Sequence, residues 1–532
     1  MINKPPQRQS TTYLSQRQQK KGLSGMLQTA FTLNRVIEIF LTNQGRRRSF
    51  IEAGKSKELI ESGDVSGKLQ NSNLGTLGDA IRLGLIKKDD EKLGGVYLGH
   101  FEGHPLFLPN DHHLTVCGMA GSMKSLSIIL PNLISLGLGG ESTVYFNMKN
   151  DELYNPTHKG REIVDGKPTV HIDHFIENDP LPICINPLHD LIESVANGRM
   201  IVDDCFEKVE MLFSHCQHEG VNSWISDDAK KITHLLLIEW ATNNSNRTYL
   251  GAFWEFSTFS HEQFGDELLK MNDSKAGGGF VAMQSRKIYD QYGKTHSDQF
   301  EWVMDSFQKA FKLYGLGSVL GDKTRFNHFD PAILAQELGT VSINFPSKYV
   351  VSHSQYAVIM SDYFIKRITQ AKNRKHRVAF CLDEFGNIPK IPSMAQALRL
   401  YREIDNGLGI RIITVVQDRE AFSKYFKEGG HKVFEENSVC LAWGVSGQHA
   451  KEISDKAGFK SVAIATASHN AGVSADGGGQ AMGEQVTPVL PVSDISQNFQ
   501  GRGVLDLKEK IFIIDRPPYW KIDFVKNYIG EQ

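Results

Sequence analysis

The sequence predicts an α/β fold: a mostly parallel sheet interrupted by an all-α insert. Three observations carry this. First, the apolar run Leu114-Thr-Val-Cys117, the helix-like run Lys124–Leu136 and the apolar run Thr143-Val-Tyr-Phe-Asn147 follow one another within about 35 residues. Strand, helix and strand at that spacing form a βαβ unit, which makes the two strands parallel. Second, sheet texture vanishes from about residue 188 to 335 and then returns. Third, 532 residues at roughly 150 per domain leave room for three or four folding units.

In chain order, Gly95–His100 and Pro105–Leu108 read as strands ahead of the βαβ unit, and Thr169–Phe175 reads as a further strand behind it. Asp227–Thr242 and Asp298–Tyr314 carry helical periodicity, with the glycine turn Ala276-Gly-Gly-Gly-Phe280 between them. Thr340–Phe345, Val378–Leu382, Ile410–Val416 and Val439–Gly444 are apolar strands. Ser354–Ala371 and Ser393–Ile404 are the helices that join some of them. Ala463–Gln485 is rich in Ala, Gly and Ser and reads as a mobile loop. The implied organisation is a basic arm and small accessory region over 1–100, an α/β domain over 101–190 and 335–532, and an all-α insert over 191–334.

Charge and cysteine content exclude several classes. Lys and Arg (59) nearly balance Asp and Glu (61), so the average charge favours no polyanionic partner. Residues 1–48 depart from that average, with nine basic side chains (Lys4, Arg8, Arg17, Lys20, Lys21, Arg35, Arg46, Arg47, Arg48) against Glu38 alone. Such an arm favours nucleic acid or anionic lipid. Six cysteines in so long a chain are no disulfide framework. No secretory signal and no run of about 20 apolar residues is present; Met26–Leu41 is broken by Asn34, Arg35 and Glu38 and reads as an amphipathic helix.

The chemistry concentrates on Gly118-Met-Ala-Gly-Ser-Met-Lys-Ser125, which lies between a strand and a helix. A phosphate loop needs a glycine-containing turn whose N–H groups face the phosphates, a Lys for the β/γ oxygens and a hydroxyl for Mg²⁺. Gly118, Gly121, Ser122, Lys124 and Ser125 supply these, while Met123 occupies the position of the last glycine, where a side chain must either strain the loop or crowd the nucleotide. The strand Val378–Leu382 ends in Asp383 and Glu384, a carboxylate to support Mg²⁺ beside one to polarise water. The strand Ile410–Val416 ends in Gln417, placed to sense a γ-phosphate at the carboxyl edge of a parallel sheet. Arg402 is a candidate for the arginine that reaches a neighbouring subunit's nucleotide, with Arg399 and Arg411 as competitors. Cys205, His215, Cys216 and His218 are zinc-type side chains at a spacing that fits no finger, and His112-His113 read as exposed loop residues.

From about Leu114 to Lys521 the chain resembles the coupling proteins of type IV secretion and conjugation systems, the TraG/TraD-like ATPases. The matching stretches are the phosphate loop with Pro131-Asn132, Asn147-Met-Lys149-Asn-Asp-Glu152, Ile185-Asn-Pro-Leu188, Asp383-Glu-Phe-Gly-Asn-Ile-Pro-Lys390 and Gly409–Gln417. The resemblance implies a RecA-like P-loop ATPase that uses ATP and Mg²⁺. It also implies a homo-hexamer that takes relaxase-bound single-stranded DNA, or protein substrates, to the secretion channel at the inner membrane. The sequence departs from the family pattern at Met123, at Asn147 (Asp in the family) and at Asn150 (Gly), and lacks the family's N-terminal transmembrane helices. The expectation is therefore a cytoplasmic protein held peripherally at the inner membrane, with a hydrolysis-impaired receptor of the same family as the alternative.

Overall fold

The structure is a computed structural model that describes residues 71–530, apart from 89, 110–111, 150, 178, 215–221, 403, 425–429, 468–479 and 498–500. The basic arm, the segment Met26–Leu41 and His215, Cys216 and His218 lie outside the described residues. The chain divides into two units, Ser72–Gly458 with Pro488–Gln532, and Met1–Asn71 with Phe459–Thr487.

In chain order the strands are β1 (Asn71–Ser72), β2 (Tyr97–Phe101), β3 (His104–Phe107), β4 (His113–Gly118), β5 (Ser142–Asn147), β6 (Val170–Ile172), β7 (Thr340–Asn344), β8 (Val378–Leu382), β9 (Ile410–Val416), β10 (Ser438–Trp443), β11 (Gly458–Ala467), β12 (Gln480–Pro488), β13 (Arg502–Asp506) and β14 (Ile511–Asp515). The larger unit is built on an 11-stranded sheet in the order β3-β2-β14-β13-β10-β4-β9-β8-β5-β7-β6. From β10 to β6 every pairing is parallel. From β10 outward to β3 every pairing is antiparallel.

The parallel strands read as unbroken apolar runs because both of their faces are covered. Val378, Phe380 and Leu382 of β8 belong to one core, with Ala379 and Cys381 in the other. β9 repeats the alternation, with Ile410, Ile412 and Val416 on one face and Ile413 and Val415 on the opposite face. Between β6 and β7 the described residues form helices and no strand. The helices Ser223–Asn243, Leu250–Ser257 and Asp298–Phe311 pack through Trp240, Phe253 and Phe311, with the last two rings stacked 4.9 Å apart. The smaller unit carries the sheet β1-β11-β12.

Four expectations change. The boundary at residue 100 falls inside the large sheet, because β2 is one of its strands. Asn132 fixes β2 there: its side chain accepts from Tyr97 N–H at 2.8 Å and donates to Tyr97 C=O at 2.8 Å, acting as one more strand partner. The helix expected over Ser393–Ile404 is two short pieces, Met394–Arg399 and Ile404–Gly407, because the chain folds back so that Ile410 N–H bonds to Tyr401 C=O at 2.8 Å. Of the expected loop Ala463–Gln485, residues 468–479 lie outside the described residues, and the two flanks belong to β11 and β12; Val462, Ile464 and Thr466 recur at period two, a pattern that bulk composition averages away. His113 is buried, 1% exposed, and not a loop residue. It accepts from Ile412 N–H at 3.0 Å through Nδ1 and bonds Leu398 C=O at 3.1 Å through Nε2, so it serves as a neutral bridge between β9 and the helix Met394–Arg399.

Candidate nucleotide site

Strand order decides where the sequence-predicted groups meet. β4, β9, β8 and β5 are consecutive and parallel, so their carboxyl ends share one edge of the sheet. β4 leads into the phosphate loop, β9 into Gln417, β8 into Asp383 and Glu384, and β5 into Lys149. Four segments far apart in sequence therefore deliver their polar ends to one place.

The loop leaves β4 at Gly118 and enters a helical run that opens with a π-helical turn, Ser125–Ile129, and continues as Leu130–Leu138. Gly121 takes φ +70°, with open space where a Cβ would sit. Ser122 turns its hydroxyl inward to donate to Met119 C=O at 2.6 Å. Met123 takes φ +60°, the left-handed conformation the missing glycine would adopt, and its side chain points out, 43% exposed. The departure from the motif is met by backbone strain and not by crowding of the loop; for a residue with a Cβ that strain is about 1–2 kcal/mol. Lys124 is 8% exposed and donates to Gly118 C=O at 2.7 Å and Met119 C=O at 2.8 Å. Burial lowers its ammonium pKa, against the pull of Glu384 and Asp383.

Ser125 donates its hydroxyl to Asp383 at 3.2 Å. Asp383 is 4% exposed; burial raises its pKa, with Lys149 opposing the shift. A neutral hydroxyl and a carboxylate meeting at this distance form an oxygen-only donor pair, the chemistry that suits Mg²⁺. Glu384 sits at φ +53°, and its carboxylate is held from both sides, by Lys149 at 3.0 Å and by Gln417 at 3.1 Å. Burial acts to lower the Lys149 pKa, but the Glu384 hydrogen bond and the Asp383 charge outweigh it and the net shift is upward. Asn147 at the end of β5 is fully buried, donating to Asp151 at 2.8 Å and accepting from Leu153 N–H at 3.3 Å. An amide satisfies these bonds without adding another buried charge. Strained, non-glycine backbone gathers at this edge, where Met123, Asp151 and Glu384 all have positive φ.

The structure thus brings together Gly118, Gly121, Ser122, Lys124, Ser125, Asp383, Glu384 and Gln417. It does not bring the arginines there. Arg411 is the second residue of β9, at the opposite end of the sheet, where it is 3% exposed and bound in a two-pronged ion pair to Glu141, both bonds at 3.0 Å. Arg402 lies at that same end, its charge acting on His113. Arg399 is exposed at the end of the helix Met394–Arg399.

Two contributors escape a sequence reading, and a third, Lys149, stands in a family-like stretch that does not show its partner. Lys149 lies two residues beyond β5, and only the neighbouring position of β5 and β8 in the sheet reveals its partner. Trp443 and Arg516 both bond Ser122 C=O at 3.2 Å from the far side of the loop. They are separated from Ser122 by more than 300 residues of chain, and no local spacing signals them.

Comparison with known proteins fits this geometry. No match occurs among curated proteins. Among solved structures, the unbound bacterial conjugative coupling protein TrwBdeltaN70 superposes with a TM-score of 0.57 at 13% identity, covering 86% of this chain and 95% of that one. The plasmid coupling protein TrwB in complex with the ATP analogue ADPNP gives 0.58 at 12%, covering 86% and 96%. TrwB in complex with ADP and Mg²⁺ gives 0.56 at 12%, covering 85% and 94%. At this identity the likeness establishes a shared fold. The family model described as type IV secretory system conjugative DNA transfer matches residues 64–483, most of the sequence. The chain belongs to that family, the type IV secretory system conjugative DNA transfer proteins.

Proposed function

We propose that the protein is an ATP-driven coupling protein. In this reading it recruits relaxase-bound single-stranded DNA, or a protein substrate, and feeds it to a type IV secretion channel from the cytoplasmic face of the inner membrane. The observation that carries the proposal is the meeting of Lys124, Ser125, Asp383, Glu384 and Gln417 at one edge of the parallel sheet. The matched TrwB structures, with an ATP analogue and with ADP and Mg²⁺, support the same ligand chemistry.

Each side chain then has a task. The loop N–H groups from Gly118 to Ser125 cradle phosphate, and Lys124 leaves its two loop carbonyls for the β/γ oxygens. Ser125 and Asp383 hold Mg²⁺, which when bound offsets negative charge on the phosphate oxygens. Glu384 orients and deprotonates the attacking water once it releases Lys149 or Gln417, and Gln417 reports the γ-phosphate. Arg402 acts on the nucleotide of an adjacent subunit in a homo-hexamer. The helical region 191–334 faces the substrate, and the 11-stranded sheet with the helices that cover it forms the motor. No helix among the described residues is long and apolar enough to cross a membrane. In this reading a partner, or the basic arm on anionic lipid, holds the protein at the membrane. Lys124→Ala is expected to abolish nucleotide-dependent transfer between cells while the protein is still produced. Normal transfer by that variant would remove the motor reading.

The strained Met123 supports a second reading, a receptor that keeps the fold but hydrolyses ATP slowly. Under it Met123→Gly raises turnover sharply without changing substrate recruitment. Unchanged turnover removes that reading's main support.

A further inference from the structure

Both peptide planes that flank Met123 are pinned. Its own carbonyl accepts from Ser127 N–H at 2.9 Å, the first bond of the following helix. The carbonyl before it, on Ser122, accepts two bonds at 3.2 Å, one from the Trp443 indole N–H and one from the Arg516 guanidinium. With a carbonyl held on either side, rotation about the two Met123 backbone bonds is restricted around the observed φ +60°.

The two donors are themselves firmly built in. Trp443 ends β10 and is fully buried; Arg516 follows β14 and is 2% exposed. The guanidinium lies 3.8 Å from the centre of the Trp443 rings, and its Nε donates to Arg502 C=O at 2.8 Å. Two glycines make room. A Cβ on Gly118 would meet Trp443 at 3.0 Å, and one on Gly503 would meet Arg516 at 2.9 Å. Burying an arginine behind a loop is costly unless its donors are used, and here one of them is spent on the carbonyl directly before the strained residue.

We infer that Trp443 and Arg516 are positioning residues that replace the missing phosphate-loop glycine. By clamping Ser122 C=O they hold Met123 in the left-handed conformation and keep the loop N–H groups aimed at the nucleotide phosphates. The inference rests on the nucleotide-binding reading of the loop. It also says why Met123 is tolerated, since the fold supplies from outside the loop what glycine supplies from within. The buried guanidinium adds a fixed positive charge behind the phosphate position, its pKa lowered to about 10 by burial but still protonated at neutral pH.

The test is a double-mutant cycle between clamp and strain, read by ADP and ADPNP affinity and by melting temperature on the full chain. Trp443→Phe keeps an aromatic ring but removes the indole donor and one ring's worth of buried volume; the volume loss is common to both backgrounds and cancels in the cycle. In the Met123 background the substitution is expected to weaken nucleotide binding by about tenfold, the order set by left-handed strain. In the Met123→Gly background, where φ +60° needs no support, the loss is expected to stay below about twofold. Arg516→Lys, which keeps the charge but loses the planar fork, is expected to show the same dependence on residue 123 and covers the case in which Trp443→Phe folds poorly. Equal losses in the two backgrounds would overturn the clamp while leaving the nucleotide site in place. If the wild-type chain binds neither nucleotide, the reading of the site itself fails. The clamp is then judged by melting temperature, where coupled substitutions support it and additive ones reject it.

Discussion

Arg411 and Arg402 lie nine residues apart at the same end of the sheet, and the ion pair of Arg411 sets it apart from the role proposed for Arg402. Arg411 is 3% exposed, and its guanidinium makes two bonds at 3.0 Å to Glu141, itself 13% exposed, with a third at 2.8 Å to His112 C=O. Arg411→Met removes the cation and leaves a carboxylate in a site that water scarcely reaches. Breaking a buried pair from one side costs about 3–5 kcal/mol, because the remaining charge keeps its desolvation penalty. The double variant Glu141→Leu/Arg411→Met removes both charges and is expected to recover most of that loss. The assay is the urea midpoint of all three proteins beside wild type, with ATP turnover measured where each is folded. Arg411→Met is expected to shift the midpoint strongly and to retain turnover wherever it is folded. A midpoint equal to wild type, or a folded Arg411→Met protein without turnover, would refute the structural role and make Arg411 the arginine that acts on nucleotide. Arg402→Ala is expected to do the reverse, losing turnover at an unchanged midpoint.

Three further outcomes are expected. Burial holds the His113 pKa down at about 3 against an ordinary 6.5, so as pH falls through 6.5 the unfolded chain takes up a proton that the folded chain refuses. Stability therefore drops with acidity until pH reaches about 3; between pH 7 and 5 the His113 share is about 2 kcal/mol, read as the difference between wild type and His113→Gln in urea titrations at both pH values. Glu384→Gln should keep nucleotide binding and lower turnover by at least about 100-fold, the usual worth of a general base; a smaller loss in steady-state hydrolysis would assign that role elsewhere. If the basic arm binds single strands through phosphates, its nine cations allow a log affinity versus log salt slope of at most about −6, and removing residues 1–48 should flatten the slope measured by fluorescence anisotropy.

Much of this fold was legible because parallel strands covered on both faces must be apolar throughout. Val378–Leu382 and Ile410–Val416 announce themselves for that reason, and the observed strands coincide with those runs. The helical insert was legible from the opposite signal, the loss of such runs between residues 188 and 335. The site was half legible. Lys124, Ser125, Asp383 and Gln417 each sit at the end of a recognisable strand or turn, and a parallel sheet gathers such carboxyl ends along one edge. What sequence could not show is whatever depends on strand order in the finished sheet. The pairing of β10 with β4 puts Trp443 opposite Gly118, and that neighbour relation has no local trace. Nor could it choose between the two fates open to Met123, because strain and crowding differ only in backbone conformation. Short polar segments misled for a related reason: His113 has a loop-like neighbourhood in sequence, yet both ring nitrogens are bonded inside the core.

The most direct test of the central claim is ATP turnover by the purified protein, with and without single-stranded and double-stranded DNA, beside Lys124→Ala. The proposal predicts hydrolysis that DNA stimulates and that the variant loses. A folded wild-type protein with no hydrolysis under any of these conditions, or a variant as active as wild type, would contradict it.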